Sequence, residues 1–172
     1  AERLGYPSIV ASGDNACILH YSTNRDQIKE GSLLLIDAAA ELGMYSSDVT
    51  RTFPVGTKFS SPQKDVYNAV LKSQIEGIDG VVEGNSMKNV HQQTIRSLSE
   101  SMVDLGLVPM GVEETVSMMH FFEFFMHGTG HWLGLDVHDV GDRNEIFKPG
   151  MIITVEPGIY ISANDNQVEK KW

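Results

Sequence analysis

The order of apolar segments along the chain predicts an α+β fold. Short apolar runs of strand composition stand toward both ends of the sequence, and two segments with helical periodicity lie between them, over residues 61–82 and 87–105. The length of 172 residues suits one domain or a large part of one. Because the helical segments are grouped and do not alternate with the strands, we expect a largely antiparallel sheet with the helices segregated from it.

The first third of the chain is rich in strand signals. Residues 7–20 predict a strand, a turn at Ser12-Gly13-Asp14-Asn15, and a second strand from Ala16 to Tyr21. The run from Leu33 to Ala38 is short, apolar and continuous, as in a strand that is buried on both faces, and residues 47–55 predict the next strand.

The helical segments carry recognisable end signals. Ser61 is a plausible N-cap, with Pro62 at the first helical position. Ser86 is expected to cap the second helix, which should stop at Gly106. A shorter helical piece is predicted over residues 111–119.

The last third predicts extended structure again. From Phe124 the chain becomes strand-like, and residues 126–140 carry three histidines. A turn at Lys148-Pro149-Gly150 leads into Met151-Ile152-Ile153-Thr154-Val155-Glu156, a second buried strand that ends in a carboxylate.

Composition excludes several classes of function. A formal net charge of -10 argues against nucleic-acid binding, which needs a basic surface. No apolar run approaches the length that spans a membrane, so no membrane association is expected. The single cysteine, Cys17, excludes an internal disulfide framework, which fits a reducing compartment and predicts a cytoplasmic location. Cys17 itself has the surroundings of a buried structural thiol.

The ends of the chain suggest an excerpt from a longer protein. The sequence lacks an initiator Met, and it stops at Lys170-Lys171-Trp172 without a polar tail. We therefore expect residues 1–172 to be part of one domain of a longer protein.

Two aspartates eleven residues apart are the strongest sign of chemistry. Asp37 ends one apolar strand, and Asp48 begins the next, so a short connection can bring both carboxylates to one face. A buried carboxylate pair needs cations or protons to neutralise it, which favours divalent metal ligands. The alternatives are solvated aspartates, or an ion pair of either one with Arg51.

The segment His127-Gly128-Thr129-Gly130-His131 and the nearby His138 add imidazoles among glycines. The spacing alone does not say which histidine binds a metal, and Asp136 or Asp139 could orient His138. Glu156 follows a buried run, so its carboxylate is expected in a walled pocket where it could act as a general base.

Other candidate residues are less informative. His20 is ambiguous alone, and we assign no role to His91 or His120. Trp132 and the cluster of Phe121, Phe122, Phe124 and Phe125 are expected in the hydrophobic core.

Taken together, these motifs resemble the catalytic domain of the aminopeptidase P family, the Xaa-Pro aminopeptidase branch of the pita-bread metallopeptidases. The resemblance is carried by four segments in order: Ile36-Asp37-Ala38, Asp48-Val49-Thr50-Arg51-Thr52-Phe53-Pro54, His127 to Gly141, and Val155-Glu156-Pro157-Gly158-Ile159-Tyr160. It implies a curved antiparallel sheet backed by helices, an N-terminal domain outside this sequence, and hydrolysis of an N-terminal Xaa-Pro bond by a metal-bridging hydroxide.

The resemblance also implies roles for individual residues. Metal ligands would be Asp37, Asp48, His131 and Glu156, which would hold two divalent ions, typically Mn²⁺, with Co²⁺ or Zn²⁺ as alternatives. Glu156 would also accept the proton of the attacking water. His20, His127, His138 and Tyr160 would contact the substrate, with His127 and His138 aiding catalysis. The full-length protein could form a homo-oligomer.

Two departures from the family pattern stand out. Ala39 replaces a usual glycine, and a fifth ligand, a second bridging glutamate, is expected after the last residue of this sequence. A chain with four of the five ligands is expected to bind metal weakly and to turn over slowly.

Two other functions remain open from the sequence. A prolidase, which cleaves Xaa-Pro dipeptides, would share the motifs. A non-catalytic binding module on the same fold would have lost the metal site, whereas the four ligand positions here are chemically competent.

Overall fold

The computed structural model describes residues 1–172 and contains six strands and three α-helices. The elements are β1 (Arg3–Leu4), β2 (Ile9–Ser12), β3 (Leu33–Asp37), β4 (Ala40–Leu42), β5 (Tyr45–Ser46), β6 (Thr50–Pro54), α1 (Ser61–Asp79), α2 (Met87–Asp104) and α3 (Val112–Ser117). Short 3-10 helices cover Gly13–Cys17 and His120–Glu123. None of the helices combines the length and the apolar character needed to cross a membrane.

The strands form two three-stranded antiparallel sheets, in the orders β2-β3-β6 and β1-β4-β5. Since the helices follow the strands, the predicted α+β class is confirmed. In the first sheet Asp37, the last residue of β3, pairs with Thr50, the first of β6. Asp48 lies two residues before β6, so the sheet brings the two aspartates to the same end, as predicted.

The predicted strand from Ala16 to Tyr21 does not form. Gly13 adopts a φ of 58° and is the first residue of a 3-10 helix that runs to Cys17. Two further turns then use the local backbone groups, because the Ile18 N–H donates to the Asn15 carbonyl and the Tyr21 N–H to the Ile18 carbonyl. The turn residues thus start a series of tight turns where a hairpin was expected.

The helix ends follow the sequence signals closely. The first helix begins one residue earlier than predicted, because Ser60, not Ser61, is the N-cap and forms a capping box with Gln63. Ser86 caps α2 through the Asn89 N–H, as predicted. Gly106 follows α2 with a φ of 70°, which a glycine adopts without strain.

In the last third, two extended segments, 129–133 and 152–156, run antiparallel. Three backbone hydrogen bonds join them: Leu133 N–H to Ile152 O, Thr154 N–H to His131 O, and Glu156 N–H to Thr129 O. The pairing yields an isolated bridge between Trp132 and Ile153 in place of the full strand predicted over 151–156. Pro157 ends it, since proline has no N–H to donate.

The largest hydrophobic core lies between α2, α3 and the 3-10 helix at 120–123. Its most buried members are Leu98, Met102, Phe124 and Phe125. Phe121 also belongs to this core, as predicted, whereas the Phe122 side chain is 51% exposed. The aromatic segment 121–125 therefore anchors the chain immediately before the histidine motif at 127–131.

Candidate metal centre

Side chains from three distant parts of the chain meet at the end of the first sheet. Asp48, His131 and Glu156 each offer one potential ligand atom, and these atoms lie within 4.8 Å of one another. The Nε2 atom of His131 is 3.2 Å from Asp48 Oδ2 and 3.2 Å from Glu156 Oε1. The three side chains are partly buried, so solvent screens their charges less than at the surface.

His131 is oriented by its backbone neighbours. Its Nδ1 atom is 2.9 Å from the Trp132 carbonyl oxygen, which can only accept, so Nδ1 carries a proton. Nε2 is therefore the atom directed at the two carboxylates. Burial by itself lowers the pKa of His131, but hydrogen bonds with Asp48 and Glu156 outweigh burial and raise the pKa to about 10. Without a metal, a proton on the His131 imidazole compensates part of the negative charge of Asp48 and Glu156.

Thr154 connects His131 to Glu156. The His131 N–H donates to Thr154 Oγ1 at 3.0 Å, and this hydroxyl in turn donates to Glu156 Oε1 at 2.7 Å. The hydroxyl lies on the 152–156 segment and the imidazole on 129–133, so the antiparallel pairing of the two segments sets the position of both candidate ligands.

Asp37 lies beside this cluster and is linked to it by a phenol. The Tyr6 hydroxyl donates to Asp37 Oδ1 and lies 3.1 Å from Asp48 Oδ1. Burial raises the pKa of Asp37 above its usual value, and the neighbouring charges of Asp48 and Glu156 act in the same direction. The hydrogen bond from Tyr6 opposes that rise. Asp37 is thus held next to the centre, although it is not one of the three clustered residues.

Neither alternative interaction predicted from the sequence, an ion pair with Arg51 or orientation of His138 by Asp139, forms in the structure. Arg51 donates to the Thr50 carbonyl oxygen and forms no ion pair with either Asp37 or Asp48. The Asp139 carboxylate accepts from the N–H groups of Leu135 and Val140, so it stabilises its own loop and does not orient His138.

Two exposed histidines extend from the cluster toward solvent. The ring of His138 is 4.3 Å from the ring of His131, measured between centroids, and 6.0 Å from that of His20. His20 adopts a left-handed φ of 56° at the end of its turn series. Three imidazoles, those of His131, His138 and His20, therefore follow one another from the partly buried carboxylates to the surface.

His127 and Tyr160 form a separate pair. His127 Nε2 is 2.8 Å from the Tyr160 hydroxyl, and His127 Nδ1 donates to the Gly128 carbonyl at 2.8 Å. Since Nδ1 therefore carries the proton, the phenol donates to Nε2. Burial raises the pKa of Tyr160, and the charges of Glu156 and Asp37 raise it further.

The sequence did not indicate Tyr6, Thr154 or His91 as parts of this region. Tyr6 precedes β2 in an irregular segment, and Thr154 has the residue type expected of any strand. Only the i, i+2 spacing of Thr154 and Glu156, which places both on one face of an extended segment, could have linked the threonine to the site.

The donor set suits a hard or borderline divalent cation. Carboxylate oxygens and a single imidazole nitrogen are the ligand types that Mn²⁺, Co²⁺ and Zn²⁺ accept, whereas a thiolate-rich site would favour softer metals. The converging carboxylates repel one another unless positive charge lies between them.

Comparison with known proteins gives a consistent result. The model of metallopeptidase family M24 matches residues 1–171. The chain is 50% identical over 169 residues to a Xaa-Pro aminopeptidase of Haemophilus influenzae, covering 96% of this chain and 39% of the relative. It is 37% identical to human Xaa-Pro aminopeptidase 3, covering 100% of this chain and 34% of the relative. The chain thus spans well under half the length of these relatives.

Solved structures agree with the sequence comparison. Pseudomonas aeruginosa aminopeptidase PepP superposes with a TM-score of 0.97 at 45% identity, covering 100% of this chain and 40% of that one. An Escherichia coli aminopeptidase P variant in complex with substrate gives a TM-score of 0.96 at 41% identity, covering 99% and 40%. The similarity confirms the predicted pita-bread fold.

Proposed function

Because the chain belongs to metallopeptidase family M24, we propose that residues 1–172 form part of the catalytic domain of an Xaa-Pro aminopeptidase. The observation that carries the proposal is the convergence of Asp48, His131 and Glu156 within 4.8 Å, from segments far apart in the sequence. The names of the relatives support the reaction class, removal of an N-terminal residue that precedes proline.

Residue spacings support the same assignment. Solved variants of E. coli aminopeptidase P carry alanine in place of one of two aspartates eleven residues apart, or of one of two histidines eleven residues apart. Asp37 and Asp48, and His127 and His138, have these separations. A third substituted histidine of the E. coli protein precedes the first of those aspartates by seventeen residues, as His20 precedes Asp37.

In this proposal, Asp37, Asp48, His131 and Glu156 hold two divalent ions, and we expect Mn²⁺ from the oxygen-rich ligand set. Such ions, when bound, supply Lewis-acid activation of water and of the scissile carbonyl group. The chain contributes the orientation of the ligands. The Trp132 carbonyl fixes the imidazole of His131, the Tyr6 hydroxyl donates to Asp37 and lies against Asp48, and the Thr154 hydroxyl donates to Glu156.

The other site residues are assigned to proton transfer and substrate binding. Glu156 accepts the proton of the attacking water with the Oε1 atom that Thr154 positions. His138 and His20, which lie in the open row beyond His131, bind the peptide and stabilise the tetrahedral intermediate, as does the hydrogen-bonded pair of His127 and Tyr160. A bond to proline has no N–H, so the site must recognise a tertiary amide.

Partners and location follow from the same proposal. The substrates are peptides with proline at the second position, and neither nucleic acid nor a membrane is expected as a partner. A cytoplasmic location is predicted from the single cysteine, Cys17. Assembly of the full-length protein into a homo-oligomer stays a prediction.

The test is a metal titration combined with a substrate comparison on the full-length protein. With added Mn²⁺, we expect cleavage of an Xaa-Pro-Xaa tripeptide and little cleavage of the matching Xaa-Ala-Xaa peptide. The variant Asp48→Asn should lose Mn²⁺ affinity by calorimetry and lose activity, since an amide is a weaker ligand than a carboxylate. The matched control, Asp79→Asn at the exposed end of α1, should retain both.

Other outcomes decide between the alternatives. Preferred cleavage of Xaa-Pro dipeptides over longer Xaa-Pro peptides would identify the full-length protein as a prolidase. Absence of binding of Mn²⁺, Co²⁺ and Zn²⁺ by the full-length protein would assign a non-catalytic module on this fold.

A further inference from the structure

His91, to which the sequence assigns no role, contacts the backbone of the histidine motif. It lies in the second turn of α2 and is partly buried. Its Nδ1 atom is 2.8 Å from Thr129 Oγ1 and 3.3 Å from the Thr129 backbone nitrogen. Thr129 stands midway between His127 and His131, and its side chain is only 2% exposed.

The direction of these hydrogen bonds follows from the donors. A backbone N–H can only donate, so His91 Nδ1 is unprotonated and accepts from Thr129. The hydroxyl then donates to the same atom, and the proton of the imidazole is on Nε2. Burial, with smaller contributions from Arg143 and His127, lowers the pKa of His91, which keeps the ring neutral and able to accept.

The contact reaches two candidate metal ligands through the main chain. The Thr129 carbonyl oxygen accepts from the Glu156 N–H at 2.7 Å, and His131 follows two residues later. The ring of Phe125 lies 6.3 Å from that of His91 and 4.8 Å from that of His127, measured between centroids. Helix α2, the most deeply buried helix of the molecule, is thereby connected to both extended segments of the site.

We propose that His91 is a positioning residue for the metal centre: its Nδ1 atom fixes Thr129 and so sets the positions of His131 and Glu156. The inference rests on the proposed function, because it assigns His91 to the same centre. Two features separate it from ordinary packing. The acceptor is directed at a single residue of the motif, and that residue hydrogen-bonds the backbone of a ligand on the opposite segment.

The test separates the acceptor atom from the bulk of the side chain. In His91→Asn, the side-chain oxygen can replace Nδ1 as the acceptor, whereas His91→Phe keeps a ring of similar size without an acceptor. In the full-length protein we expect His91→Phe to weaken Mn²⁺ binding by roughly 10-fold, as for other residues that orient metal ligands. His91→Asn should stay within about threefold of wild type. Calorimetry on the metal-free protein measures both.

Substitutions of Thr129, the partner of His91 in the hydrogen bond, test the same contact from the other side. Thr129→Val removes the hydroxyl and keeps the backbone N–H, so it should weaken Mn²⁺ binding by no more than His91→Phe does, and Thr129→Ser should resemble wild type. The double variant His91→Phe/Thr129→Val should be no worse than His91→Phe alone. Equal losses for His91→Asn and His91→Phe would overturn the inference in favour of packing, and so would unchanged binding in all variants. Absence of Mn²⁺ binding in the wild type would overturn the proposed function and this inference together. If the wild type binds Mn²⁺, the affinities of the variants test the role of His91 alone. If His91→Phe does not fold, judged by circular dichroism, the pair Thr129→Val and Thr129→Ser decides.

Discussion

At the scale of single residues, the hydroxyl of Tyr6 has an unusual position between two carboxylates. It contacts Asp37 and Asp48, and the Val49 N–H approaches it at 3.4 Å. Burial raises the pKa of Tyr6, and the hydrogen bond to Asp37 raises it further, so the phenol stays protonated and serves as a donor. The side chain thereby fixes the two aspartates relative to each other before a cation arrives.

We predict that Tyr6→Phe weakens binding of divalent cations by roughly 10-fold, because Asp37 loses its hydroxyl donor and Asp48 loses the polar contact at 3.1 Å. Calorimetric titration of the metal-free protein with Mn²⁺ measures the change. Tyr45→Phe is the matched control, since Tyr45 is 60% exposed and lies in β5, outside the centre. An affinity of Tyr6→Phe equal to that of the control would show that the aspartates need no such orientation.

At the scale of elements, the antiparallel pairing of 129–133 with 152–156 determines the distance between His131 and Glu156. Gly130 allows the close approach: a Cβ atom on this residue would lie 2.0 Å from the Thr154 carbonyl oxygen, which is backbone and cannot turn away. The glycine is therefore required by space and not by a left-handed φ.

We predict that Gly130→Ala separates the two segments and destabilises the protein by about 2–3 kcal/mol, with a matching loss of Mn²⁺ affinity. Urea unfolding and calorimetry measure the two effects. Gly111→Ala is the control, because no atom lies within 4 Å of its added Cβ, and its cost should stay within about 1 kcal/mol. Equal stability of the two variants would contradict the close-approach argument.

The elements also differ in how well the sequence predicts them. The boundaries of α1 and α2 depend on local signals, such as the serine N-caps and Gly106, and these are correct to within a residue for both starts. The structures of segments 16–21 and 151–156 depend on which neighbouring segment forms hydrogen bonds with their backbone groups. Apolar composition alone predicts a strand in both places, whereas the chain forms turns in the first and a short bridged pair in the second.

At the scale of the whole molecule, the charge of the centre links stability to pH. His131 has a folded-state pKa of about 10, above the ordinary value of 6.5, because of Asp48 and Glu156. A raised histidine pKa stabilises the folded state fully below pH 6.5, and this stabilisation is lost as pH rises toward 10.

We therefore predict that the metal-free protein, kept in a chelator, loses stability steadily between pH 6.5 and pH 9. Urea unfolding at several pH values measures the slope. The slope of stability against pH should be much smaller in His131→Asn, which has no titrating side chain at position 131. It should also be smaller with saturating Mn²⁺, which displaces the proton from the imidazole. A slope that is the same in His131→Asn would assign the pH dependence to other groups.

The sequence alone determined the residue types of the site and their order. Asp37, Asp48, His131 and Glu156 stand at the ends of apolar runs or among glycines, and these are local patterns that a chain carries before it folds. The same holds for the helix caps and for the α+β class, which follow from composition and periodicity.

Only the tertiary structure decided which groups touch. Tyr6 reaches Asp37 across 31 residues, and His91 reaches Thr129 across 38. These contacts are set by the packing of β3 beside β6 and of α2 beneath the histidine motif. A hydrogen bond between distant residues leaves no periodic trace in the sequence, because it depends on how separate segments of the chain pack against one another.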